Sequence, residues 1–320
     1  MKFIITVDVE GDNLWENPAQ VTTRNAQCLP RFHSLCTSYG FPPTYLVNYE
    51  MANDDFFQEF GKQVIQKREG EIGMHLHAWN TPPLSKNQEH PTDQIYITEL
   101  DDESIWNKMQ FMTSHLRDIF QIKPVAHRAG RWGLDERVAR TLDKLGYTAD
   151  CSVTPGVSWY HHTGDPNGNG GPDFYSFNIH PYFLDLDNIK RSGKSSVLEV
   201  PVTIRPVYPR TIMDSFHAIS KWQLADRGVK RFLRPCRWLK PNGRNLAESF
   251  EVVDWALTAN LPVLQLAIHS SELLAGNPFF KEKEDVERLY RDLQSLFAYI
   301  CSRQITGSTL KDYRNTKQAP

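Results

Sequence analysis

Short apolar runs alternate with apolar stripes of helical spacing along most of the chain, and several of the runs end in ionisable residues. Phe3-Ile4-Ile5-Thr6-Val7 reads as a buried strand, after which Cys28, Leu29, Phe32, Leu35 and Cys36 recur on one helix face. Thr44-Tyr45-Leu46-Val47 is a second strand, Phe57, Phe60 and Val64 mark a second helix, and Glu71-Ile72-Gly73-Met74 is a third strand. Ile105, Met109, Met112, Leu116 and Ile119 form the most regular stripe, with Asp102 as its expected N-cap. Beyond it the pattern predicts a strand over 124–127, a helix over 135–145 closed by Gly146, and strands over 147–150 and 197–202. A helix over 246–257, a strand over 263–268 and a last helix over 286–300 complete the series. Such alternation predicts a parallel sheet with helices outside it. No internal repeat is present.

Two stretches break the rhythm. Thr-Gly-Asp-Pro-Asn-Gly-Asn-Gly-Gly-Pro, 163–172, reads as a surface loop. The segment from Lys221 to Arg244 is strongly basic, carrying Lys221, Arg227, Lys230, Arg231, Arg234, Arg237, Lys240 and Arg244 against Asp226 alone. The expected organisation is a single domain over 1–305, with irregular insertions at about 155–195 and 205–245 and a loosely held polar tail over 306–320.

The strand ends carry the chemistry. Asp8, Glu10 and Asp12 follow the first apolar run, His75 and His77 the third, His127 and Arg128 the next, and His269 the last. Buried acids cost desolvation energy unless they are paired or hold a cation. His75 and His77, two apart on an extended chain, point to one face with Cα atoms about 6.6 Å apart. Both can reach one ion, and a strand-end carboxylate would complete a two-histidine, one-carboxylate set with open positions. The competing explanation is a pair of packed, hydrogen-bonded histidines. Asp8 could serve as a proton acceptor or as a turn cap, and Asp12 as either equally. His269 could protonate a leaving group, and Arg128 could pair with Asp8 to keep it ionised.

Composition narrows the setting. The chain has 320 residues, of which 40% are hydrophobic, enough for a sizeable core. A formal charge of −2 gives no global pull toward nucleic acid, and the basic stretch carries no nucleic-acid recognition motif. Cys28, Cys36, Cys151, Cys236 and Cys301 follow no motif spacing and read as reduced thiols. Met1-Lys2 leads straight into the first strand, and no apolar run approaches the roughly 20 residues of a membrane helix. The expectation is a soluble cytoplasmic protein without a transmembrane segment, with a place near the inner membrane face left open.

Taken in order, these strings resemble the polysaccharide deacetylase superfamily, the NodB-like carbohydrate esterases, from Thr6 to about Phe280. Thr-Val-Asp8-Val-Glu10 resembles the family's first motif and Glu-Ile-Gly-Met-His75-Leu-His77 its metal-histidine motif. His-Arg128-Ala-Gly-Arg-Trp-Gly resembles the third motif, 147–152 with Asp150 the fourth, and Leu-Ala-Ile-His269-Ser-Ser-Glu the fifth. Gly-Met-His-Leu-His-Ala-Trp-Asn-Thr-Pro-Pro and Trp-Leu-Lys-Pro-Asn-Gly-Arg-Asn-Leu are similar to a divergent WalW-type branch found in lipopolysaccharide and capsule gene clusters. The chain departs from the family pattern in three ways. The family's adjacent Asp-Asp is here Asp8-Val9-Glu10, Trp79 stands where its second histidine falls, and the third motif lacks its proline. Either His77 substitutes for that histidine, or metal is held weakly or not at all.

The resemblance implies a distorted (β/α) barrel of about seven parallel strands and a metal-dependent hydrolase that removes an acetyl or formyl group from an amino sugar. Asp8 would be the base, His269 the acid and Arg128 the residue that orients the base. Glu10, His75 and His77 would hold a divalent cation, with zinc expected. Trp79 and Trp132, beside the motifs, offer flat surfaces for a sugar, with ordinary packing the alternative; Asp150 would line the site. Arg231 and Arg234 suit a nucleotide- or polyprenyl-phosphate-linked substrate, with a solvated helix face the alternative. A non-catalytic sugar-binding or assembly protein on the same scaffold is the second reading. A glycosidase using paired acids would leave the His-x-His string unexplained.

Overall fold

The computed structural model describes residues 1–16, 20–84, 94–219, 222, 227–277 and 279–318. Its organising element is β1 (Lys2–Val9), whose side chains alternate between two hydrophobic layers. Phe3, Ile5, Val7 and Val9 point outward into a large core shared with the helices, while Ile4 points inward into a smaller one. Thr6 and Asp8, and Glu10 just beyond the strand, share the inward parity.

The other strands are β2 (Thr44–Val47), β3 (Glu71–Leu76), β4 (Ala126–Ala129), β5 (Ala149–Asp150), β6 (Tyr182–Phe183) and β7 (Leu198–Glu199). They are followed by β8 (Ile204–Pro206), β9 (Cys236–Trp238), β10 (Val263–His269) and β11 (Thr306–Gly307). The main sheet runs β10-β1-β2-β3-β4-β5-β7-β6. Seven of these strands are parallel, and β6 closes one edge antiparallel to β7. Helices α1 (Leu29–Ser38), α2 (Tyr49–Ala52), α3 (Asp55–Lys67), α4 (Asp102–Phe120) and α5 (Glu136–Leu145) cover the connections along the first half. α6 (Arg210–Ile219), α7 (Leu246–Thr258), α8 (Lys283–Ser302) and α9 (Leu310–Asn315) follow. Leu46, Ala126, Ala149 and Leu198 join Ile4 on the concave side, so the sheet curls into a half-barrel with its own inner core.

The long helices match their stripes, with local shifts. The N-cap of α4 is Asp101, which accepts from Ser104 N, and not Asp102, because Asp101 holds the extended backbone a cap requires. Gly146 closes α5 at φ +81°, as its position predicts. The strand expected over 197–202 pairs only at Leu198–Glu199.

The C-terminal residues are not a loose tail. Thr306 and Gly307 pair with β1, and Leu310 and Tyr313 of α9 fill the bottom of the inner core. Thr44 Oγ accepts from Leu310 N at 3.1 Å and Glu71 Oε2 from Lys311 N at 3.0 Å, so two inward strand residues receive the first turn of this helix. Polarity alone hid this docking, because only Leu310 and Tyr313 carry its apolar surface. Separately, β8 and β9 form an antiparallel hairpin that pinches off an excursion carrying α6 and most of the basic segment.

Candidate active site

Parallel register brings the strand-end residues together. Asp8 pairs with His269 across β1 and β10, and His75 with Arg128 across β3 and β4, so all four share the concave face. Glu10, one inward step beyond Asp8, meets His75 and His77. Its Oε2 lies 3.0 Å from His77 Nε2 and 3.6 Å from His75 Nε2, and one potential ligand atom from each residue falls within 4.8 Å of the others.

The donor set fits a divalent cation. Two ligand atoms at ~2.1 Å from an ion, a tetrahedral angle apart, are separated by roughly 3.4 Å, close to the spacings seen. His75 Nδ1 bonds the carbonyl oxygen of Arg128 at 3.0 Å, so that nitrogen carries the proton and Nε2 presents its lone pair. Trp15 Nε1 donates to Glu10 Oε1 at 2.6 Å and leaves Oε2 facing the imidazoles. Burial pushes the His77 imidazole down to about 4, so it is neutral at pH 7 as a ligand must be. Burial opposes charge on Glu10 too, but His269 and the two imidazoles outweigh it and hold the carboxyl well below its usual range. His77 lacks the backbone support of His75: its buried Nδ1 finds no partner among the described residues. A Cβ on Gly130 would lie 2.6 Å from that nitrogen, so the turn after β4 passes where only glycine fits.

Asp8 is buried and held by a cation. Arg128 Nη1 donates to Asp8 Oδ1 at 2.6 Å, Nη2 to Thr6 Oγ at 2.7 Å and Nε to the Cys151 carbonyl at 3.1 Å. Burial would raise the Asp8 carboxyl, but Arg128, His75 and His269 bring it below its ordinary value. His269 Nε2 lies 3.7 Å from Asp8 Oδ2. Its Nδ1 bonds Glu272 Oε1 at 2.8 Å, and Lys240 Nζ reaches the same oxygen at 2.6 Å. Burial and Lys240 work to lower the imidazole, yet Glu10 and Glu272 leave it above its ordinary value and favour the protonated form. Glu272 itself is drawn down to about 2: burial opposes the charge, and Lys240 and His269 outweigh it.

Six expected residues therefore converge: Asp8, Glu10, His75, His77, Arg128 and His269. The substrate side needs correction. Trp79 is only 7% exposed, with its ring 4.4 Å from that of His77, so it supports the imidazole and offers a sugar little surface. Asp150 is fully buried and on the convex side, because it stands one residue out of phase with inward Ala149 and Cys151. Asp12 is held by Arg24 and Thr22 in the turn after β1. Trp132, by contrast, places its ring 5.1 Å from the Arg128 guanidinium and stacks on Trp159 at 6.3 Å, with Trp238 at 6.0 Å. Trp159 and Trp238 line a cavity of about 370 Å³, together with Tyr175, Lys230 and Arg234. Arg234 also pairs with Glu248 at 2.8 Å. The Arg231 side chain and Lys221 lie outside the described residues.

Sequence reasoning missed Glu272, Lys240, Trp15 and Trp238. Glu272 alone left a signal, since His-Ser-Ser-Glu spaces it three after His269 on a one-turn helix.

No protein-family model matches the sequence, and no curated protein sequence matches it. Among solved structures, the chain is similar to a protein from Parabacteroides distasonis described as a glycoside hydrolase/deacetylase. The TM-score is 0.61 at 9% identity, over 99% of this chain and 72% of that one. It is also similar to a Mycobacterium smegmatis protein described as a polysaccharide deacetylase, with TM-score 0.54, 14% identity, and 98% and 89% of the two chains covered. A third is the 4-alpha-glucanotransferase from Thermococcus litoralis, with TM-score 0.50 and 9% identity, where all of this chain spans 39% of that one. The fold is the NodB-like distorted (β/α) barrel. At these identities the likeness shows the fold alone.

Proposed function

We propose that this NodB-like chain is a metal-dependent hydrolase that removes an acetyl or formyl group from an amino sugar of lipopolysaccharide, O-antigen or capsule biosynthesis, with zinc as the ion. The observation that carries the reading is the shared mouth: a Glu10–His75–His77 donor set beside Asp8, which Arg128 pairs at 2.6 Å and His269 approaches at 3.7 Å. The biosynthetic setting rests on the WalW-like strings.

In this reading Glu10, His75 and His77 hold the cation, which supplies Lewis-acid polarisation of the acyl carbonyl when bound. Asp8, kept anionic by Arg128, takes a proton from the attacking water. His269, kept protonated beside Glu272, gives its proton to the departing amine. Thr6 and the Cys151 carbonyl fix the guanidinium, so the base keeps its aim. Trp132, backed by Trp159 and Trp238, gives the sugar an apolar face next to Arg128, and Arg234 on the cavity rim suits a nucleotide- or polyprenyl-phosphate-linked substrate. No described helix is long and apolar enough to cross a membrane; the reading places the protein in the cytoplasm near the inner membrane face.

A second reading, a non-catalytic sugar-binding protein, is favoured by one observation. Trp15 occupies Glu10 Oε1, and Trp79 packs against His77. The deciding experiment measures bound zinc per chain together with acetate or formate release from N-acyl amino sugars, free and phosphate-linked. One zinc per chain with release supports the hydrolase. Neither metal uptake nor release would move the assignment to the binding protein.

A further inference from the structure

Exposed apolar side chains are concentrated in one place. Of eleven exposed large hydrophobic residues among those described, five lie between positions 212 and 233: Ile212, Ile219, Trp222, Phe232 and Leu233. Trp222 is 75% exposed and Phe232 79%. All five belong to the excursion pinched off by β8 and β9. Val207 N donates to the Pro235 carbonyl at 2.8 Å, and Tyr208 Oη to that of Leu233 at 3.0 Å, closing its two ends on each other. Along α6, Met213, Phe216 and His217 line the cavity, whereas Ile212 and Ile219, seven apart, form the exposed stripe beside them.

The same excursion is basic. Over 210–234 the sequence places six Lys or Arg residues against two Asp, a local excess of four positive charges in a chain whose total is −2. Arg210, Arg227, Lys230 and Arg234 are exposed there. Scattered surface hydrophobics need no explanation, but five on one short excursion do. An excess of positive charge on one excursion of a chain whose total is −2 complements an anionic surface. Aromatic and aliphatic side chains mixed with Lys and Arg are the composition of surfaces that lie in the headgroup region of an anionic bilayer.

We infer that the described part of this excursion docks the protein on an anionic membrane surface, with Trp222 and Phe232 entering the headgroup region and Arg227 and Lys230 meeting lipid phosphates. The docking stands apart from the proposed hydrolysis. Only its consequence, delivery of a lipid-carried sugar to the adjoining cavity, rests on that reading.

The test is co-sedimentation of the full chain with vesicles of phosphatidylcholine alone, and of equal parts phosphatidylcholine and phosphatidylglycerol, at low and high salt. The protein is expected to sediment with the anionic vesicles only, and salt should reduce the bound fraction. Trp222→Ser with Phe232→Ser should weaken that binding by about tenfold or more, and Arg227→Glu with Lys230→Glu should abolish the preference for anionic lipid. Should the serine variant fail to fold, brominated lipid in the anionic vesicles should still quench tryptophan fluorescence of the unaltered protein. Absent sedimentation with anionic vesicles, binding that the serine variant leaves unchanged, or no quenching overturns the inference. Self-association of the unaltered chain that the serine variant abolishes would overturn it in favour of a second copy as the occupant.

Discussion

Histidine and carboxylate meet on both faces of the main sheet. On the concave side Glu10 faces His75 and His77, and Asp8 faces His269. On the convex side His127, Asp150 and Glu199 stand in direct register across β4, β5 and β7. All three convex residues are fully buried. There His127 Nδ1 bonds Asp150 Oδ1 at 2.6 Å, while Ser152 N donates to Asp150 and Val153 N to Glu199. With one imidazole for two acids, Glu199 is pushed well above its ordinary value by burial and then by Asp150. The concave pair has Arg128 beside Asp8 and His269 near both acids, so both carboxylates lie below their ordinary values. Residue type does not separate a usable site from a structural one here; the supply of cations and the direction of the strand's alternation do.

Exchanging one acid on each face tests that contrast most strongly. Asp8→Asn should lower N-acyl hydrolysis by roughly 10²- to 10⁴-fold while zinc content stays unchanged. Asp150→Asn should leave turnover within a few-fold but reduce unfolding free energy by about 1–3 kcal/mol. Steady-state assays with denaturant unfolding read both, and equal losses of turnover would break the distinction. Arg128→Met comes next, because it strands Asp8 as a buried anion. A loss of about 3–5 kcal/mol is expected in urea unfolding. Adding Asp8→Asn to Arg128→Met should recover part of that loss; no recovery would mean that the pairing contributes little.

The concave cluster was legible in the sequence because β1, β3, β4 and β10 each end at or next to a residue that matters. The His-x-His spacing also carries its own geometry. Asp150 was misjudged because β5 is paired over two residues only, too few for its alternation to be read. Glu272 and Lys240 reach His269 from a one-turn helix and from the end of the β8–β9 hairpin, which no periodicity announces. The docked C-terminus was missed for a similar reason. Its attachment is a two-residue pairing with β1, hydrogen bonds to Thr44, Glu71 and the Ser196 carbonyl, and two apolar side chains, a pattern indistinguishable from a polar tail until the barrel is assembled.

That lower end supplies a third carboxylate, sealed on the concave face itself. Burial raises Glu71 to about 7, although Thr44 Oγ and Lys311 N both donate to it. Between its unfolded value near 4.5 and about 7, the unfolded chain has released the proton that the native protein retains. Stability should therefore fall as pH rises through that window, by roughly 3 kcal/mol, and level off above it. Glu71→Gln copies the neutral acid and should flatten this part of the profile. Thermal unfolding at several pH values decides it, and an unchanged slope in the variant would show that Glu71 is ionised in the folded protein.

The smallest effect is expected from a single methyl group. Gly130 passes His77 so closely that a Cβ would come within 2.6 Å of Nδ1 and 2.5 Å of the Leu76 carbonyl oxygen. Gly130→Ala must push the imidazole or the strand end aside. His77 has little to resist with, since among the described residues no hydrogen bond holds its Nδ1, whereas His75 is tied to the Arg128 carbonyl. The ring should tilt away from Glu10 and zinc affinity should drop by about tenfold, the lower end of what disturbing a ligand's support costs. Asp8, Arg128 and His269 approach from other strands and should keep their geometry, so turnover at saturating zinc should nearly recover. Competition titration against a chelator separates the two outcomes. A loss of turnover that excess zinc cannot restore would place the damage in the Asp8–Arg128 pair, and the concave cluster would then be one rigid unit instead of a metal site beside an acid–base pair.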